Sequence, residues 1–151
     1  MFKYLKYFTS TLILLVGGYT CSVGPHYPTY FFIGFSLVLI LGDILLGEDL
    51  INNEYEYPQI INFPMYINFP ILFAFILTVV SVFSNSNPVW VINILDKYIY
   101  ADFVEFKNSV TLLDKISLIA ITSLFIGIMG TVPGHELTHR KKNKFDMFIG
   151  N

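Results

Sequence analysis

The sequence predicts an all-α integral membrane bundle with about four transmembrane helices, and three observations carry that expectation. Hydrophobic residues make up 54% of the chain and charged residues 13%, about half the charged share of an ordinary soluble domain; the mean hydropathy is +0.61. Four apolar stretches come close to the ~20 residues that a helix needs to cross a bilayer, and none contains Lys or Arg. Many of the tyrosines lie near the ends of these stretches, where amphipathic rings favour the membrane interface. The net charge of -2, with basic residues mostly gathered at the two chain ends, leaves no footprint for nucleic acid. The single Cys21 can form no intrachain disulfide.

The first stretch covers residues 8–23. Lys3 and Lys6 precede it, as in a signal peptide, but no small-x-small cleavage site comes after it, and Thr20 before Cys21 fits a lipoprotein site poorly. A retained helix is therefore expected. The second stretch, residues 30–46, comes after a Gly-Pro-His-Tyr-Pro turn; the third covers residues 66–83 and the fourth residues 116–132. A short interfacial helix is expected over residues 90–100, inside the loop that joins the last two. Lys3 and Lys6 place the N-terminus in the cytoplasm by the positive-inside rule. Four crossings then return the chain to Arg140, Lys141, Lys142 and Lys144, so both ends agree, although Lys97, Lys107 and Lys115 in the outer loop count against this orientation. No internal repeat divides residues 1–151, so a single transmembrane domain is expected, in the inner membrane.

Chemistry concentrates just after the fourth stretch. His135 and His139 are four residues apart in His-Glu-Leu-Thr-His, a spacing that puts both imidazoles on one face of a helix, one turn apart. Neutral imidazole serves Zn, Fe, Cu and Ni, so the pair indicates a metal site more firmly than it indicates the metal. Pro133 and Gly134 are expected to bend or end the regular helix before it, and Gly127, Gly130 and Gly134 to let another helix come close. His26, in the turn at the other end, is not expected to be a ligand. Asp43 lies within or just below the second stretch, where an acid usually faces protein; it could accept a hydrogen bond from a ligand histidine or simply face water.

Two metal chemistries share this pattern. In a zincin, His-Glu-x-x-His binds Zn and the Glu activates water, but a third ligand is needed, and after His139 the only acidic residue is Asp146. The other pattern is the first histidine box of membrane di-iron enzymes. His135, Glu136, Leu137, His139 and Arg140 resemble the His-Glu-Leu-x-His-Arg/Lys box of alkane monooxygenases, xylene-type monooxygenases and fatty acid desaturases. Asp43, Gly47, Asp49 and Asn52 are similar to an Asp-x-x-x-Gly-x-Asp-x-x-Asn segment placed after the second helix of alkane monooxygenases. Residues 144–150, Lys-Phe-Asp-Met-Phe-Ile-Gly, resemble that family's link into its next helix.

The resemblance implies a non-haem di-iron site near the cytoplasmic face, with His135 and His139 among the ligands of two Fe ions and Asp43 and Glu136 as supporting residues. It implies an alkane 1-monooxygenase-like oxidation of a hydrocarbon or acyl chain that enters from the bilayer, with O2 and with electrons from a rubredoxin or ferredoxin. Arg140, Lys141, Lys142 and Lys144 would suit an acidic carrier, or simply anchor the helix at an anionic leaflet. The family places further histidine clusters after the first box. Two histidines cannot hold two irons, so the chain is expected to be the N-terminal part of a longer desaturase-like domain, inactive alone. A zinc metalloprotease and a non-catalytic membrane protein are the alternatives.

Overall fold

The computed structural model describes residues 2–46, 57–86, 89–99, 102–139 and 144–150, and every regular element among them is a helix. Helix α1 (Phe2–Leu5) passes through a 3-10 turn (Lys6–Phe8) into α2 (Thr9–Val23); next come α3 (Tyr27–Leu46), α4 (Pro58–Phe83), α5 (Val89–Ile99), α6 (Phe103–Ser109) and α7 (Leu112–Phe125). A π-helical segment, Ile126–Thr131, joins α7 to α8 (Val132–His139), and α9 (Lys144–Gly150) ends the described chain.

Among the described residues three helices are long and apolar enough to cross a membrane: Tyr27–Leu45, Ile60–Phe83 and Leu112–His139. The first expected span is also helical, but α2 has only 15 residues, below the length of those three. The short helix expected over residues 90–100 is α5, Val89–Ile99. Helix α4 begins well before residue 66 and carries Pro64 and Pro70 inside it. Proline breaks isolated helices, but one packed among neighbours tolerates it.

The long helices pack α2 on α3 and α4, α3 on α7, and α4 on α7 and the π segment. Phe125, wholly buried, is the hub of this packing. Its ring centroid lies 6.2 Å from Phe31, 5.8 Å from Phe35 and 5.4 Å from Phe75, distances at which edge-to-face aromatic pairs add to simple burial. Gly17 makes room for the hub: a Cβ there would meet Phe125 and Phe31 ring carbons at 2.8 Å. The outer faces are apolar too. On α3, Val38, Ile44 and Leu45 are 65, 70 and 76% exposed, and a contiguous greasy stripe of this kind belongs against lipid.

Polar groups inside the bundle are paired. Thr11 donates to Asn68 Oδ1 at 2.7 Å and Asn68 donates to Ser10 at 3.0 Å, joining α2 to α4. At the end of the bundle away from the histidines, Thr111 caps α7 in a capping box with Asp114. The fully buried Asp114 carboxylate also accepts from the Thr29 hydroxyl at 2.6 Å and from the His26 backbone N–H at 3.2 Å. His26 therefore acts through its main chain, at a φ of 67° that turns α2 into α3. These contacts set the start of α3 beside the start of α7, so the two helices run side by side from that end and α3 finishes on the histidine side.

Candidate metal centre

The histidine pair sits at the last turn of one long helix whose regularity is broken once. Pro133 has no N–H to give the carbonyl of Met129, and its ring would crowd that carbonyl in an α-helix. The chain widens instead: the Val132 N–H bonds to Gly127 O, five residues back. Inward positions keep α-helical spacing at Leu118, Ile121, Phe125 and Met129, then jump five residues to Gly134 before Leu137. The bend expected at Pro133 is thus a register shift, after which the helix continues to His139.

Leu137, fully buried, anchors the last turn, while His135, Glu136 and His139 are exposed and Thr138 is half-buried. Thr138 donates its hydroxyl to His135 O at 2.6 Å. The two imidazoles stand edge to face, 86° apart with centroids 4.6 Å apart, and their Nε2 atoms are 3.1 Å from one another. Two ring nitrogens about 2.1 Å from one ion and separated by 3.1 Å would subtend about 95° at it, an ordinary angle for a first-row metal. That separation suits a shared ion, and it is also that of a hydrogen bond from one ring to the other.

Among the described residues no group of three His, Cys, Asp or Glu is placed to hold a metal. Asp43 lies near the end of α3, on the histidine side of the bundle, and is exposed. Gly47, Glu48, Asp49 and Asn52, like Arg140, Lys141 and Lys142, lie outside the described residues.

Glu136 helps to line a cavity of about 320 Å³ between α2, α4 and α8, together with Tyr7, Ser10, Asn62, Asn68 and Pro133. At 100° per residue the histidines lie to one side of this lining face. A second cavity, about 370 Å³ and nearly all apolar, lies farther along the same helices beneath Trp90 and Ile94 of α5.

Of the glycines expected to permit close packing, Gly130 meets Leu72 of α4, and Gly134 meets Phe69 and Gly150, whereas Gly127 faces open space. Sequence reasoning missed the element that braces α8 from behind. Helix α9 packs along α8, and the 3% exposed Asp146 accepts a 2.6 Å hydrogen bond from Tyr66 of α4. An acid one turn from a glycine, in Asp146-x-x-x-Gly150, is the signal that could have found it.

Compared with models of known protein families, with curated proteins and with solved structures, the chain matches none.

Proposed function

We propose that this chain carries the first histidine pair of a membrane di-iron oxygenase that oxidises a C–H bond of an alkane or acyl chain. The observation behind the reading is the pair itself. Inside the His-Glu-Leu-x-His-Arg pattern, His135 and His139 present Nε2 atoms 3.1 Å apart at one end of an apolar helical bundle. Histidine-rich ligation suits iron that reacts with O2. Iron bound there would supply the activation of O2, and the reaction balances as a C–H bond, O2, two electrons and two protons giving C–OH and water. Electrons would come from a rubredoxin or ferredoxin, and the substrate from the bilayer.

The described residues supply two of the ligands, and two are too few for two irons. The reading therefore needs ligands beyond these two, with α2 as a fourth crossing and both the N-terminus and the histidines at the cytoplasmic face of the inner membrane. Asp43 and Glu136 would orient ligands or exchange protons rather than bind metal.

Metal analysis of the intact protein tests the proposal. Stoichiometric iron, lost in His135→Ala and His139→Ala together with hydrocarbon oxidation, is the expected result. One zinc per chain, with proteolysis lost and zinc kept in Glu136→Gln, would replace it with the protease reading, and no stoichiometric metal would leave a non-catalytic membrane protein.

A further inference from the structure

We propose that α9 is a positioning element for the histidine pair, anchored to α4 by the hydrogen bond between Tyr66 and Asp146. The proposal rests on the metal reading above.

A seven-residue helix does not hold its shape alone in water, so the contacts of α9 decide where it lies. One face turns outward, with Phe145 and Phe148 60 and 81% exposed. The other carries Asp146 and, one turn on, Gly150. A carboxylate buried to 3% exposure is costly unless hydrogen bonds compensate it, and the Tyr66 hydroxyl provides one at 2.6 Å, with its ring centroid 5.9 Å from Phe145. Gly150 makes a further contact. A Cβ there would fall 2.7 Å from Gly134 O and 2.8 Å from Thr138 N, both of them backbone atoms.

Thr138 lies between the two histidines, and its hydroxyl closes onto His135 O. Gly150 therefore lets α9 lie directly against the turn that carries both imidazoles, and Tyr66 fixes α9 there. A chain of contacts runs from α4 through Asp146 and Gly150 to Thr138. Its effect on the metal is indirect: it holds two nitrogens at the separation of one ion. Groups hydrogen-bonded to metal ligands typically change affinity by about 10- to 100-fold when removed, and this chain of contacts, which reaches the imidazoles through their backbone turn, is expected at the low end of that range.

The test is a Co2+ titration of the purified protein in lipid nanodiscs, read by visible absorption, with thermal unfolding recorded in parallel. Tyr66→Phe and Asp146→Ala are expected to weaken Co2+ binding about tenfold and to alter the ligand-field bands. Asp146→Asn, which keeps an acceptor oxygen for Tyr66, is expected to match the wild type. Gly150→Ala should weaken binding as well, because a Cβ displaces α9 from Thr138. Folded Tyr66→Phe and Asp146→Ala proteins that bind Co2+ with wild-type affinity and spectrum would overturn the proposal. Should Asp146→Ala not fold, Tyr66→Phe, which deletes one hydroxyl, decides alone. A wild-type protein that binds no more Co2+ than His135→Ala removes the metal reading itself, and the positioning role with it.

Discussion

Thr29 and Asp114 are 85 residues apart in sequence and joined by a 2.6 Å hydrogen bond at the end of the bundle away from the histidines. The carboxylate is also held by the Thr111 hydroxyl at 2.7 Å and by the N–H groups of Thr111 and His26. It ties α3 to α7 where both meet.

Removing Asp114 leaves four donors without their acceptor, whereas removing the Thr29 hydroxyl leaves the carboxylate its other three. Asp114→Ala is expected to destabilise the bundle by about 3 kcal/mol and Thr29→Val by about 1–2 kcal/mol. Thermal unfolding in detergent gives the order. Equal losses would mean that Thr29 carries the whole tie.

Two glycines should respond in opposite ways to the same added methyl group. At Gly17 it would meet Phe125 and Phe31 ring carbons at 2.8 Å, so Gly17→Ala is expected to cost about 1–3 kcal/mol by overpacking. At Gly127 nothing lies within 4 Å, and the alanine should be neutral or stabilise by up to about 1 kcal/mol. Unfolding midpoints of the two variants check the contrast.

Asn68, 3% exposed, is hydrogen-bonded to Thr11 and Ser10. Bonds between helices within membranes are worth less than their burial suggests, on average about 0.6 kcal/mol. Asn68→Leu is accordingly expected to cost about 1 kcal/mol, well below Asp114→Ala. A loss as large as that of Asp114→Ala would show that Asn68 does more than join α2 to α4.

Much of the architecture was legible in the sequence because lipid imposes long apolar runs with few charges, and helices fill the four expected stretches. Their ends were less legible. Pro64 and Pro70 are breakers by residue type, yet α4 runs through both, since its stability comes from packed neighbours rather than from an unbroken ladder. The face shared by His135 and His139 came from spacing alone. The brace behind it did not, because Asp146 and Gly150 belong to a helix too short to show a periodic pattern, and Tyr66 stands 80 residues from its partner. Gly17 gave no warning either: its role depends on Phe125, far along the chain.

The widened turn at Ile126–Thr131 governs how this helix can change length. A π segment holds one residue more than the α-helix it replaces, so deleting one residue there leaves the rest of the helix facing the same way, at the cost of bringing Pro133 against the carbonyl four residues before it. The same deletion within Leu112–Phe125 would rotate the C-terminal part of the helix by about 100°, bringing Leu137 out of the bundle and turning both imidazoles from their present direction. Co2+ binding after one deletion at each place would tell them apart. Close relatives of this chain could therefore differ by one residue between Ile126 and Thr131 and still point their histidines alike.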